Sequence, residues 1–141
     1  MQLKRDLALL AATLLLAVLG AQFATSVLHM HLRFANLWTA AWVLLAAPVI
    51  EEWIFRVRLQ AALTDYLRLK LPLLSAHIAS IALISVVFAA CHAPLMGWQA
   101  AWVVVPSLAL GACWAATQSG WRCALMHSFF NAALATFSTL T

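Results

Sequence analysis

Two adjacent carboxylates are the side chains of this sequence with the clearest capacity for chemistry. The chain has only four acidic residues, and two of them, Glu51 and Glu52, directly follow the apolar run Leu37–Ile50. A charged side chain at the centre of a membrane segment costs roughly 3 kcal/mol on insertion scales. Carboxylates in such surroundings therefore indicate a functional site.

The spacing within this stretch predicts different roles for the two acids. On a helix, Glu52 and Arg56 lie one turn apart on the same face and can form an ion pair. Glu51 is rotated by about 100° from Glu52, and its neighbour one turn on is the uncharged Phe55. We predict that Glu52 is held by Arg56, whereas Glu51 is unpaired, faces a cavity and can act as a general base.

Two later pairs of residues have the same spacing in comparably apolar surroundings: Phe88 with His92, and His127 with Asn131. Phe88 can pack against the imidazole of His92 and restrict its rotamers. His127 can donate a hydrogen bond from a ring nitrogen, and Asn131 can donate one from its amide. Two donors aimed at one point form an oxyanion hole, which stabilises the negative oxygen of an attacked carbonyl.

Each pair taken alone also has a structural interpretation, because an intramembrane histidine often serves only as a hydrogen-bonded contact between helices. The remaining histidines are predicted to be interfacial, and they are His29, His31 and His77. Helix packing does not explain two adjacent acids when only one has a partner, so Glu51 favours chemistry. Ser107, Gly111 and Ala115, spaced by four residues, predict a small-residue packing face rather than a site.

The composition excludes a soluble domain. Hydrophobic residues make up 66% of the chain and charged residues 9%, and the mean hydropathy is +0.97, whereas about a quarter of residues in soluble domains are charged. We interpret residues 1–141 as a single integral-membrane domain whose main partner is the lipid bilayer. The net charge of +4 needs no nucleic-acid partner, because cations beside membrane helices act as topology signals and contact phospholipids.

The hydropathy pattern predicts an all-α, polytopic transmembrane helix bundle of about five spans with short connections. The spans are Leu7–Met30, a second that begins at Leu37, Leu73–Ala93, Trp98–Thr117 and Trp121–Leu140. The second helix is apolar to Ile50 and can continue as an amphipathic helix to Leu69, with a kink at Pro48. A cleaved signal peptide is the alternative for the first span, but apolar sequence continues past Gly20, which favours a retained span.

Proline and glycine mark the predicted turns, which are Pro72, Pro94–Gly97 and Gln118–Gly120. Pro106 is predicted to interrupt the fourth span. In a straight hairpin around Pro72, Glu51 and His92 lie about 20 residues on either side, so they meet at one level. That level is towards the external side, whereas reading Leu37–Arg56 as the second span places Glu51 near the cytoplasmic face. The sequence leaves both depths open.

The cations predict an orientation. With five spans, one membrane face carries seven Lys and Arg residues and the other carries Arg33 alone. The seven are Lys4, Arg5, Arg56, Arg58, Arg68, Lys70 and Arg122. Because cytoplasmic loops are enriched in Lys and Arg, this asymmetry predicts a multi-pass inner-membrane protein with a cytoplasmic N-terminus and an external C-terminus.

Three motifs on successive helices together resemble those of a known family. The motifs are Glu51-Glu52-x-x-x-Arg56, Phe88-x-x-x-His92 and His127-x-x-x-Asn131. Their types and order resemble the CPBP family, which comprises type II CAAX prenyl proteases and bacterial relatives, including bacteriocin-processing and self-immunity proteins. The resemblance covers about residues 46–135 and includes the approach Thr117–Trp121. One departure is Val57, where many relatives have glycine.

The resemblance implies an intramembrane protease of the glutamic type that cleaves a membrane-associated protein or a C-terminal sorting segment. It implies a catalytic set, Glu51, His92, His127 and Asn131, and a supporting set, Glu52, Arg56 and Phe88. Glu51, assisted by His92, would activate water, and the other two catalytic residues would stabilise the oxyanion. Two other functions stay open, a non-catalytic membrane immunity or binding protein and a proton or ion carrier that uses the same polar residues.

Zinc is chemically permitted but not favoured, and we predict no cofactor. Glu51, His92 and His127 are residue types that bind zinc, and a catalytic zinc site usually has three protein ligands. A ligating histidine also needs an acceptor for its other ring nitrogen. The sequence near His92 offers only apolar neighbours and a cysteine, and Glu52 can serve one histidine only if Arg56 loses its partner.

Overall fold

The structure is a computed structural model that describes the backbone of residues 2–140 and the side chains of residues 8 and 11–139. The described residues contain no β-strand, which confirms the all-α prediction. The α-helices are α1 (Gln2–Ser26), α2 (Leu37–Ala41), α3 (Ala47–Glu52), α4 (Ala61–Arg68), α5 (Leu73–Met96), α6 (Val104–Thr117) and α7 (Gly120–Leu140). The first helix is shorter at its C-terminal end than the predicted span, because the chain leaves the helix after Ser26.

Helices α2, α3 and α4 form one continuous helical segment, as predicted. They are joined by two π-helical stretches, Trp42–Ala46 and Trp53–Gln60. The segment begins at Asn36, whose side-chain oxygen accepts a 2.9 Å hydrogen bond from the backbone N–H of Thr39. Such a cap satisfies a donor that the first helical turn leaves unpaired.

Two proline interpretations were wrong. The predicted turn at Pro94–Gly97 is instead helical to Met96, and the chain reverses at Gly97, which has φ 58°. Glycine adopts positive φ without a steric penalty. Pro106 is the third residue of α6, which follows the 3₁₀-helix Gly97–Val103. Proline is favoured in the first turn of an α-helix, so Pro106 lies at the start of α6 rather than interrupting it.

The helices pack as a bundle in which α7 contacts α1, α3 and α6, and α5 contacts α4 and α6. A buried apolar cluster joins α6 to α7, and its members are Leu110, Cys113, Trp114, Cys123 and Met126. The predicted small-residue face is present at Gly111, where an added Cβ would lie 2.9 Å from Cγ2 of Ile81. This close approach brings α6 against α5 and the continuous segment.

Large apolar side chains also lie on the outer surface, where a soluble protein would place polar groups. Examples are Leu15, Ile78, Val86 and Leu125, each more than half exposed. By length and composition, one segment of the described chain, Leu73–Thr117, can cross a membrane, and Ala11–Ser26 is a shorter apolar helix. These surfaces agree with a membrane protein, and the number of spans stays a prediction.

Candidate active site

Glu52 is the centre of the polar interactions between helices. Its side chain is fully buried at the end of α3, and its Oε2 accepts a 3.0 Å hydrogen bond from Nε of Arg56. Its Oε1 lies 2.9 Å from Nδ1 of His127 on α7. The pair with Arg56 is confirmed. The expectation that Glu52 can serve a histidine only at the expense of Arg56 was wrong, because the two carboxylate oxygens bind one partner each.

Arg56 extends this connection to α6. Its Nη2 donates a 2.7 Å hydrogen bond to Oγ of Ser107, and its Nη1 lies 3.4 Å from Oε1 of Gln60. Gln60 in turn donates to the carbonyl of Gly111 at 2.9 Å. We call Glu52, Arg56, Gln60, Ser107 and His127 the polar seam. A buried ion pair is tolerated when its charges also make further hydrogen bonds, as Glu52 does with His127 and Arg56 does with Ser107.

The sequence interpretation missed Gln60 and Ser107. A signal for Gln60 was available, because Glu52, Arg56, Gln60 and Thr64 follow one another at four-residue spacing and are all buried in the structure. A buried polar stripe on one helix face requires polar partners on the helices that cover it. Ser107 had no local signal, since its partner lies 51 residues away.

Glu51 has a different environment. Its side chain is 30% exposed and borders a cavity of about 380 Å³. All four predicted catalytic residues line this cavity, namely Glu51, His92, His127 and Asn131, together with Phe88. The nearest basic atom to the Glu51 carboxylate in the described chain is Nε2 of His127, at 3.8 Å, which is too long for a hydrogen bond. Glu51 therefore retains capacity to bind water or substrate.

His92 is oriented by its own helix. Its Nδ1 lies 2.9 Å from the carbonyl oxygen of Phe88, one turn earlier, and the two rings pack with centroids 4.6 Å apart, as predicted. A carbonyl only accepts, so Nδ1 carries the proton and Nε2 of the neutral ring is an acceptor. The expectation that His92 has only apolar neighbours and a cysteine was wrong, because it overlooked this backbone carbonyl.

His127 is oriented by Glu52 in the same manner. The carboxylate accepts from Nδ1, so Nε2 is directed towards the cavity and Glu51. Nε2 donates only when the imidazole carries a second proton. The ring of Phe88 packs against both histidines, with its centroid 4.6 Å from that of His92 and 5.8 Å from that of His127.

Asn131 is hydrogen-bonded to the continuous α2–α4 segment, at a backbone carbonyl that has no partner within that segment. Its Nδ2 donates a 2.9 Å hydrogen bond to the carbonyl of Val43. In the π-helical stretch each N–H bonds five residues back, as Ala47 does to Trp42. The next donor would be Pro48, which has no N–H. The Val43 carbonyl is therefore available, and Asn131 keeps its second amide hydrogen for another acceptor.

The arrangement bears on metal binding. A metal-ligating histidine usually donates its other ring N–H to an acceptor. Glu52 supplies this acceptor for His127, and the Phe88 carbonyl supplies it for His92. A lack of acceptors is therefore not an argument against zinc. Within the described chain, however, no three His, Cys, Asp or Glu side chains are close enough together to hold a metal ion. In this arrangement Glu51, His92 and His127 do not fit a three-ligand zinc site.

The described residues form a helical bundle with apolar outer faces and a cavity lined by carboxylate and imidazole side chains, as in a membrane-embedded protein with a polar site. Residues 33–133 match the family model for type II CAAX prenyl endopeptidase Rce1-like proteins. The chain belongs to this family of membrane-embedded endopeptidases. The match agrees with the resemblance that the three motifs indicated. Neither the curated proteins nor the solved structures contain a match to this chain.

Proposed function

We propose that this protein is an intramembrane endopeptidase that hydrolyses a peptide bond with a water molecule activated by Glu51. The observation that carries the proposal is the convergence of Glu51, His92, His127 and Asn131 on one cavity, although they come from three separate helices. The family match supports protease activity. The glutamate-based mechanism rests on the geometry of the cavity.

In the first step, a water molecule binds between the carboxylate of Glu51 and Nε2 of His92. Glu51 accepts a proton from the water, and the hydroxide attacks the carbonyl carbon of the scissile peptide bond. A positioned general base of this kind contributes about 10²–10⁴-fold to a rate. The proton held by Glu51 then passes to the leaving amine as the C–N bond breaks.

The negative oxygen of the tetrahedral intermediate is stabilised by two donors. The second amide hydrogen of Asn131 supplies one, since the first is bound to Val43. Nε2–H of His127 supplies the other when the ring is doubly protonated, a form that faces both Glu51 and Glu52. Removing one such donor typically costs about 10²–10³-fold in kcat.

The proposed substrate is the C-terminal or membrane-proximal segment of a membrane-associated protein. The rest of the cavity lining is mostly apolar, with contributions from α1 and the Gly97–Val103 segment, among them Ala17, Ala24 and Trp102. An apolar chain with a peptide bond held at the polar wall matches this distribution. In a proton carrier, the amide donor of Asn131 and the imidazole donor of His127 would have no role as a pair.

The proposed orientation is multi-pass in the cell membrane with the α6–α7 turn in the cytoplasm. Arg58, Arg68 and Lys70 are exposed on the segment that leads to this side. His127 lies seven residues after the start of α7, roughly 10 Å along the helix. The site would therefore lie closer to the cytoplasmic end of α7. A reporter that is active only in the cytoplasm should be bright at the Gln118–Ser119 turn and silent after Thr141.

The function is tested by incubating the purified protein, in detergent, with a library of apolar synthetic peptides and identifying new termini by mass spectrometry. The Glu51→Gln variant, purified in parallel, controls for contaminating proteases. We expect cleavage by the wild type that survives exhaustive chelation and is absent in the variant. Absence of cleavage would favour a binding protein, and loss of activity on chelation with recovery on zinc alone would make the mechanism zinc-dependent.

A further inference from the structure

Ser107 makes a contact that the proposed mechanism does not use. Its side chain is fully buried on α6, and its hydroxyl accepts the 2.7 Å hydrogen bond from Nη2 of Arg56. A packing face explains why residue 107 is small. It does not explain a hydroxyl, because alanine fills a small-residue position without a polar atom that must be satisfied.

The contacts of Arg56 explain what the hydroxyl does. A guanidinium is planar and holds its five N–H donors in a fixed fork, and its favoured partner is a carboxylate bound by two parallel hydrogen bonds. Here Nη2 donates to Ser107 and Nη1 donates to Gln60, so only Nε donates to Glu52. Glu52 is therefore bound through one oxygen, and its other oxygen remains free to accept from His127.

We propose that Ser107 is a positioning residue for His127, acting through Arg56 and Glu52. Without its hydroxyl, Arg56 can turn Nη2 towards Glu52 and occupy both carboxylate oxygens. His127 would then lose the acceptor that fixes its Nδ1 proton and directs Nε2 into the cavity. This inference rests on the proposed function insofar as His127 acts on the oxyanion, while the geometry of His127 can be measured independently of cleavage.

Gln60 accepts a second, longer hydrogen bond from the same guanidinium. Its amide nitrogen donates to the carbonyl of Gly111 at 2.9 Å, which directs Oε1 towards Nη1 of Arg56 at 3.4 Å. Replacing Gln60 with leucine should release Arg56 in the same direction as loss of the Ser107 hydroxyl, but to a smaller extent because the contact is longer.

The chain contains a matched control. Thr64 continues the same buried stripe one turn beyond Gln60, and its hydroxyl is 2.7 Å from that of Ser80 on α5. This hydrogen bond is as short and as buried as the one to Ser107, but none of its contacts in the described chain reaches Arg56 or Glu52. Ser80→Ala therefore removes a comparable buried hydroxyl without touching the polar seam.

The test is the ¹⁵N–¹H spectrum of histidine-labelled protein in detergent, with the His127 signals assigned by their loss in His127→Gln. In the wild type and in Ser80→Ala we expect a protonated Nδ1 with a downfield, exchange-protected proton. In Ser107→Ala this proton should move upfield or be lost, and Gln60→Leu should shift it in the same direction. Ser107→Thr, which retains a hydroxyl, should restore it.

Kinetics supply the second readout. Ser107→Ala should lower kcat at least tenfold with KM unchanged, and Ser107→Thr should recover most of the rate. A His127 spectrum unchanged in Ser107→Ala, or shifted equally in Ser80→Ala, would overturn the proposal, and if Ser107→Ala does not fold, Gln60→Leu decides in the same way. A wild type that cleaves nothing would contradict the proposed function while the spectra still decide the positioning role.

Discussion

Glu51 and Glu52 are adjacent in the chain, but their side chains lie in different environments. Glu52 is fully buried, and each of its oxygens has a cationic or imidazole partner within 3.0 Å. Glu51 is 30% exposed, borders the cavity and has no basic atom of the described chain closer than 3.8 Å. The rotation of about 100° between successive helical residues is sufficient to separate a carboxylate that joins helices from one that borders the cavity.

The same contrast extends to the surroundings of the two acids. In the polar seam, hydrogen bonds join the Glu52 carboxylate to His127 on α7 and the Arg56 guanidinium to Ser107 on α6. Along the cavity wall, Nε2 of His92 and one amide hydrogen of Asn131 have no partner that the described contacts show. Groups that are paired across helices stabilise the bundle, whereas the groups at the cavity wall keep free donors and acceptors. The predictions below separate these two contributions.

The largest effect is expected for Arg56→Ala. Removing one partner of a buried ion pair leaves the other charge uncompensated and typically costs about 3–5 kcal/mol. The variant should melt far below the wild type and lose activity with its fold. Arg68→Ala is the control, because Arg68 pairs with Asp65 at the surface, where such pairs contribute about 0–1 kcal/mol. Equal melting temperatures for Arg56→Ala and wild type would show that the polar seam does not hold the bundle.

Asn131→Leu should lower the cleavage rate more than the stability. It removes a proposed oxyanion donor, so we expect a loss of about 10²–10³-fold in kcat, with a smaller change in melting temperature because the side chain is only partly buried. Thr136→Ala on the same helix is the control, since its exposed hydroxyl bonds, among the described residues, to the carbonyl of Ala132 on its own helix. A wild-type rate in Asn131→Leu would remove this residue from the mechanism.

The smallest effect concerns the packing that brings α6 to the polar seam. In Gly111→Ala the new Cβ would meet Cγ2 of Ile81 at 2.9 Å and Oε1 of Gln60 at 3.1 Å. Overpacking of this kind costs about 1–3 kcal/mol. Gly20→Ala is the matched control, because its Cβ would lie 3.9 Å from Trp102, an ordinary contact. Calorimetry that shows equal stability for the two variants would contradict the close approach at Gly111.

The local part of the site was predictable from the sequence, because one helical turn brings residues four apart into contact. The ion pair of Glu52 with Arg56 and the packing of Phe88 on His92 both follow from this spacing. The contact of Glu52 with His127 spans 75 residues and depends on how the helices pack. No local pattern contains that information, so the shared role of Glu52 was not foreseen.

The fold was predictable to a similar extent. Apolar runs and turn residues placed most helix ends within a few residues. The errors occurred at Pro94 and Pro106, where proline was taken to end or interrupt a helix. Proline breaks a helix through the hydrogen bond that its missing N–H cannot make, and this cost is small in the first turn, where Pro106 lies. Pro94 lies inside α5 near its C-terminal end, and the helix continues to Met96. Val57 packs closely against Gly120, where a Cβ would lie 2.8 Å from Cγ2 of Val57.

The central claim is that Glu51 performs chemistry and Glu52 does not, and the cleavage rate of Glu51→Gln tests it most directly. Glutamine keeps the size of the side chain and removes its capacity to accept a proton from water. We predict a melting curve equal to that of the wild type and a rate lower by about 10²–10⁴-fold, the contribution of a general base. A folded Glu51→Gln variant that cleaves at the wild-type rate would contradict the account.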